Sequence, residues 1–96
     1  MAYKLITSSK AEQDVEKAIL YYKDIKIDLA RDFLTELKAT RKYIQKHPKK
    51  IQVRYANVRV AFLKRFPFGV HFRLEDKTIS IAAILHTSGD PEKWDI

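Results

Sequence analysis

The stretch Thr78-Ile79-Ser80-Ile81-Ala82-Ala83-Ile84-Leu85-His86 decides the fold of this 96-residue chain. It is rich in β-branched residues, and it is apolar at positions that strand geometry sends to both faces. A strand that is apolar on both faces needs cover on both sides, so we predict that it is the central strand of a sheet. The rest of the chain must supply its neighbours and a covering layer.

Two alternating segments precede this strand and predict its neighbours. Residues 58–63 and 70–74 follow a period of two, and Phe66-Pro67-Phe68 separates them. The polar turn Glu75-Asp76-Lys77 then leads into the central strand. These segments predict hairpin-connected, antiparallel strands.

The N-terminal half predicts a strand over residues 3–7 and two helices. Ser9-Lys10-Ala11-Glu12 has the spacing of a capping box, and Asp28 is expected to cap the second helix. The second helix should end near His47, because Pro48 disfavours helical geometry in the residue before it. The apolar stripes are Ala11, Val15, Ala18, Ile19, Tyr22 and Ile25, then Leu29, Phe33, Leu37, Thr40 and Ile44. We predict one α+β domain over residues 1–96, ordered β-α-α-β-β-β, with an antiparallel sheet packed on the helical hairpin.

Composition restricts the partners and the chemistry. Nineteen Lys and Arg against twelve Asp and Glu give a net charge of +7, which favours a phosphate backbone or an acidic protein as partner. With no cysteine and three scattered histidines, we expect no disulfide, no metal and no cofactor. No run has the length of a secretory or membrane-spanning segment, so a cytoplasmic location is expected.

Strand alternation predicts a basic sheet face opposite the helices. Arg59, His71 and Arg73 should lie on that face, with His86 at its end. Ser80, Ala82 and Ile84 should share it. The helix-facing set is expected to be Val58, Val60, Phe62, Val70, Phe72, Leu74, Ile79, Ile81, Ala83 and Leu85.

Several residue patterns together resemble the RelE/ParE toxin superfamily. They are Tyr21-Tyr22, Phe33, Val58-Arg59, Phe66-Pro67-Phe68, and His86 followed by Asp90-Pro91 and Trp94. The similarity runs from the first strand to Trp94, and it is closest to ParE-like plasmid-stabilisation proteins. It implies a growth-inhibiting type II toxin, neutralised in a hetero-oligomer by a cognate acidic antitoxin whose helical segment wraps it.

The resemblance leaves the target open. ParE-like members typically poison DNA gyrase, which is the favoured interpretation, whereas RelE-like members cut mRNA on the ribosome. If this protein is an mRNA endoribonuclease, Arg59 and Arg73 would clamp phosphate and His86 would exchange a proton. Many relatives carry arginine immediately before Asp-Pro, where this chain has Gly89, and this departure weakens the nuclease interpretation. A vestigial basic nucleic-acid-binding domain is the third interpretation.

The remaining candidate residues are basic or aromatic. Tyr21 and Tyr22 cannot share a helix face, so one should be core and the other should be exposed or covered by the antitoxin. The antitoxin's apolar contacts could equally fall on an edge strand. Candidate contacts to nucleic acid or to the target are Lys49, Lys50, Arg54, Lys64, Arg65 and Trp94.

Overall fold

A five-stranded sheet packs against a hairpin of two helices in the computed structural model, which describes residues 3–88. The elements are β1 (Lys4–Thr7), α1 (Ser9–Ile25), α2 (Ile27–Lys46), a 3-10 turn (Pro48–Lys50), β2 (Val53–Tyr55), β3 (Val58–Phe62), β4 (Phe68–Glu75) and β5 (Thr78–His86). The strand order is β1-β5-β4-β3-β2. The predicted α+β class is confirmed, and β5 is an interior strand, although β4 occupies the middle of the sheet.

The sheet is mixed, and the prediction of a purely antiparallel sheet is wrong. β1 pairs with β5 in parallel, from Lys4 opposite Thr78 to Thr7 opposite Ile81. The cause is β2, a three-residue strand that the predicted order omits. Within residues 3–88, two α-helices and five strands follow one another, and the chain reverses direction at each of the six connections between them, so β5 runs in the same direction as β1. Six elements would have turned it five times and made the pair antiparallel.

Neither helix begins at the capping residue that the sequence predicted. Ser8, and not Ser9, caps α1: its Oγ accepts a hydrogen bond from the Ala11 N–H at 3.0 Å. The same Oγ donates to the Ala82 carbonyl at 2.8 Å, so a contact with the sheet selects which serine caps the helix. α2 begins at Ile27 after Lys26, which leaves Asp28 in the first turn. Its end at Lys46 agrees with the prediction.

The core lies between the helical hairpin and one sheet face. Phe33 is fully buried, and its ring centroid lies 5.5 Å from that of Tyr22, 5.4 Å from Phe66 and 5.3 Å from Phe68. The pairs with Phe66 and Phe68 are edge-to-face, and pairs of that kind add about 0.5–1.5 kcal/mol beyond the area that they bury. This aromatic cluster joins both helices to the β3–β4 connection.

A bulge at Ala82 reverses the side-chain alternation of β5. Phe72 pairs with Ile81 while His71 pairs with Ala83, so Ala82 is an extra residue. Beyond it, Ile84 is a core residue. The alternation predicted for the end of this strand is therefore wrong. Ile84 and His86 share the helix-facing side with Val70 and Phe68, their partners on β4, whereas Ala83 and Leu85 face the other way.

The alternation predicted for β3 is also inverted. Arg59 pairs with Phe72 and Ala61 with Val70, so the odd-numbered residues face the helices. Val58, Val60 and Phe62 lie on the opposite face. Five of the six residues from 58 to 63 are apolar, so the sequence pattern alone does not distinguish the two faces.

Replacing Asp14 with alanine should destabilise the fold, because its carboxylate accepts a hydrogen bond from the Ile84 N–H at 3.0 Å beside the bulge. We expect a loss of about 1.5–3 kcal/mol in the free energy of unfolding, measured by urea denaturation. Asp24→Ala, at an exposed position on the same helix, is the matched control. Equal stability of the two variants would contradict this role.

Candidate functional site

Arg59 and Arg73 both line one cleft of about 450 Å³, near the start of β3 and the end of β4. Strand pairing places Arg59 on the helix-facing side with Phe72, whereas Arg73 lies on the opposite side of β4 with His71. The Arg59 Nη1 donates to the Ile51 carbonyl at 2.7 Å, which holds its side chain in place. Asn57 and Glu75 also line the cleft. Guanidinium groups bind phosphate or carboxylate oxygens through paired hydrogen bonds, so the cleft is suited to an anionic group.

His86 lies at the opposite end of β4 from Arg73. It pairs with Phe68, and the two ring centroids are 5.1 Å apart. The Nδ1 of His86 accepts a hydrogen bond from the Ser88 N–H at 3.1 Å, which leaves Nε2 to carry the proton of the neutral ring. Arg73 is five residues from Phe68 along β4, a distance of roughly 17 Å. The two arginines therefore lie near one end of the β3–β4 pair, and His86 lies near the other end.

The cleft that contains His86 faces α1. Lys17 and Tyr21 line it together with Phe68 and His86, and its volume is about 490 Å³. This location follows from the Ala82 bulge, which turns the end of β5 toward the helices. The single basic face predicted for Arg59, Arg73 and His86 does not form.

His71 lies on the sheet face opposite the helices, as predicted, but it is buried there. It is 1% exposed, and its Nδ1 lies 2.8 Å from the Tyr55 hydroxyl oxygen. The pKa of His71 is lowered to about 4, mainly by burial and also by the positive charge of Lys10, while the negative charge of Asp14 opposes the shift. The pKa of Tyr55 is raised by burial, against the effect of Arg73.

The basic residues predicted to contact nucleic acid or the target differ in their exposure and in their contacts within the protein. Lys49 and Lys50 are exposed in the 3-10 turn, and Lys64 is exposed after β3. The Arg54 guanidinium lies over the Phe62 ring, 5.3 Å from its centroid. Trp94 and Gly89 lie outside the described residues.

Arg65 is engaged by α2, through a partner that the sequence analysis missed. Its guanidinium lies 3.0 Å from the Asp32 carboxylate and 3.9 Å from that of Glu36. The Glu36 carboxylate also accepts hydrogen bonds from the backbone N–H groups of Lys64 and Arg65. No local pattern connects Glu36 to a loop 28 residues later, so only the fold reveals this clamp.

Of the two adjacent tyrosines, one is core and one is exposed. Tyr22 is buried against Phe33 and Phe66, so its proposed role as a partner contact is not supported. Burial raises its pKa, with a smaller effect from Tyr21. Tyr21 is 63% exposed and remains available to a partner.

The described part of the chain was also searched for a metal site and for a membrane-spanning helix. Within residues 3–88, no three His, Asp or Glu side chains gather as a metal site would require. None of the helices in this range is both long and apolar enough to cross a bilayer.

The same fold occurs in two solved toxin-antitoxin structures. The chain is similar to a structure of the chromosomal ParDE toxin-antitoxin system from P. aeruginosa, with a TM-score of 0.78 and 23% identity over 88% of this chain and 95% of that one. It is also similar to the RelBE2 toxin-antitoxin complex from Mycobacterium tuberculosis, with a TM-score of 0.57 and 15% identity over 90% of this chain and 99% of that one.

The sequence identifies the family. Residues 5–91 match the family model described as the ParE toxin of the type II toxin-antitoxin system parDE, so the chain belongs to the ParE toxin family. No curated protein sequence matches it significantly. The predicted resemblance and the type II toxin class are confirmed.

The stability of the protein should fall as the pH drops from about 6.5 to about 4. An unfolded histidine binds a proton near pH 6.5, whereas buried His71 does so only near 4, so protonation favours unfolding in this window. The loss attributable to His71 should be on the order of 3 kcal/mol, with no further loss below pH 4.

His71→Gln should flatten the dependence of unfolding free energy on pH, measured by urea denaturation between pH 7.5 and 3.5. His86→Gln, at an exposed position, is the matched control and should keep the slope of the unmodified protein. If His71→Gln retained the full slope, the acid sensitivity would have to come from other groups.

Proposed function

We propose that this ParE-family toxin inhibits DNA gyrase and does not cleave RNA. The observation that carries the proposal is the separation of His86 from Arg59 and Arg73 by most of the length of β4. Membership of the ParE family supports the same target, because ParE-like proteins typically act on gyrase. The protein would then act by binding and not by bond-making chemistry.

Cleavage of RNA requires several groups around one phosphate. A base must reach the 2′-hydroxyl, cations must stabilise the phosphorane, and an acid must reach the leaving oxygen, each within hydrogen-bond distance. The arginine cleft supplies cations, but His86 lies roughly 17 Å away along the strand. This geometry favours use of the arginines as binding groups for an anionic or acidic surface.

The second part of the proposal is neutralisation by a cognate acidic antitoxin in a cytoplasmic hetero-oligomer. The net charge of +7 favours an acidic partner, and charge complementarity would speed their association. The solved relatives from P. aeruginosa and M. tuberculosis are a toxin-antitoxin system and a toxin-antitoxin complex, which supports such a partner for this chain.

The purified protein should inhibit supercoiling of a relaxed plasmid by gyrase, and its induction in bacteria should reduce DNA synthesis before protein synthesis. A variant with both Arg59→Ala and His86→Ala should leave programmed ribosomes and their mRNA unaffected, as the unmodified protein does. Its supercoiling inhibition should fall by no more than about tenfold if the arginine contributes binding alone. Circular dichroism would verify that the variant is folded.

Three results would contradict the gyrase proposal, and they would favour different alternatives. Ribosome-dependent mRNA cleavage that is lost in the double variant would establish the endoribonuclease interpretation. An early fall in protein synthesis would point to the same target. Absence of any effect on DNA, RNA or protein synthesis would identify a vestigial domain.

A further inference from the structure

The positive charge of this protein is concentrated in one stretch of the chain. Residues 38–74 contain eleven of the nineteen Lys and Arg and no Asp or Glu, so the rest of the chain has eight basic residues against twelve acidic ones. The stretch begins in the C-terminal half of α2 and continues through the 3-10 turn. A polyanion is therefore attracted to this part of the molecule and not to its surface as a whole.

A row of lysines follows the outer side of α2. Lys38, Lys42 and Lys46 are exposed and four residues apart, so they lie on one side of the helix at intervals of about 6 Å. Helical periodicity directs that side away from the buried Leu37 and Ile44. The row therefore faces solvent over about 12 Å of the helix.

The 3-10 turn adds two lysines directly after the helix. Pro48 is buried, and the two residues that follow it, Lys49 and Lys50, are exposed. We refer to the exposed lysines of α2 and of the turn as the α2 lysine surface: Lys38, Lys42, Lys46, Lys49 and Lys50.

The charge of this surface is not neutralised within the described protein. Within residues 3–88, none of its five lysines forms an ion pair. The acidic residues of α2, Asp28, Asp32 and Glu36, all lie in the N-terminal half of the helix. Favourable interaction with the helix dipole accounts for Lys46 in the last turn, but not for Lys38 about two turns earlier. The surface is therefore available to an external polyanion.

The composition of the surface favours nucleic acid over protein as that polyanion. Interfaces between proteins are depleted of lysine and enriched in aromatic side chains, whereas interfaces with DNA are more polar and far more positively charged. In the described part of the chain, none of the large exposed apolar residues belongs to the α2 lysine surface. A DNA duplex carries one negative charge per about 1.7 Å of its axis, so about seven phosphates lie within the length of the lysine row.

We infer that the toxin itself binds duplex DNA, by contacts between the α2 lysine surface and the phosphate backbone. Lysine contacts to phosphate carry no sequence information, so the binding is independent of base sequence. It goes beyond the proposed action on gyrase, because it is a property of the toxin alone. Since gyrase holds duplex DNA, the same surface would add a second anchor for a toxin bound there.

Fluorescence anisotropy with a labelled DNA duplex of about 25 base pairs as the probe tests this inference over a range of about 50 to 200 mM KCl. The unmodified toxin should bind with a Kd on the order of 1 µM at about 50 mM KCl. Because each lysine that contacts phosphate releases counterions, the logarithm of the association constant should fall against the logarithm of salt concentration with a slope of about −4.

Two double variants separate this surface from the overall charge. Lys42→Gln with Lys46→Gln should weaken binding at least about tenfold and reduce the steepness of the salt slope by about 2, because two phosphate contacts are lost. Lys17→Gln with Lys23→Gln, at exposed positions of α1, makes the same change of net charge and is the matched control. The control should bind within about twofold of the unmodified toxin and keep its slope. Circular dichroism would verify that both variants are folded.

Four outcomes would overturn the inference. The unmodified toxin could fail to bind the duplex at the lowest salt concentration, or both double variants could lose affinity equally. An RNA duplex of the same sequence could bind at least about tenfold more tightly, which would exclude DNA as the ligand. If Lys42→Gln with Lys46→Gln kept its affinity for DNA but no longer bound the acidic protein encoded by the adjacent reading frame, the surface would belong to that protein.

These outcomes are separable from the identity of the target, because DNA binding is measured without gyrase. A toxin that binds the duplex through this surface but leaves supercoiling unaffected would refute the proposed target and leave the DNA-binding surface intact. A toxin that inhibits supercoiling but does not bind the duplex would refute the DNA-binding surface alone.

Discussion

The attachment of α1 to the bulge of β5 is the constraint on which the rest of the structure depends. A bulge leaves backbone groups without their regular ladder partners, and buried groups of this kind must find others. Ser8 donates to the Ala82 carbonyl, and Asp14 accepts from the Ile84 N–H, so both bonds come from the first two turns of the helix and its cap. They position α1 across β5 and turn Ile84 into the core. They also direct His86 toward Lys17 and Tyr21, away from the arginine cleft.

Local patterns in the sequence predicted the elements that depend on local physics. Helical spacing identified both helices, and Pro48 marked the end of α2. The β4–β5 hairpin followed from alternation and a polar turn. What failed depends on contacts distant in sequence. The choice of Ser8 over Ser9 requires Ala82, 74 residues away, and the three residues of β2 are too few to carry a periodic signal.

The candidate site was less predictable than the fold, because its geometry depends on which side chains of each strand face the helices. One extra residue at Ala82 was enough to move His86 to the other side of the sheet. The apolar run around Arg59 left its facing ambiguous, and the fold now places Arg59 and Arg73 in one cleft. Composition predicted a basic protein but could not indicate that Asp32 and Glu36 already engage Arg65. Counting cations therefore overestimates the charge that is free to meet a partner.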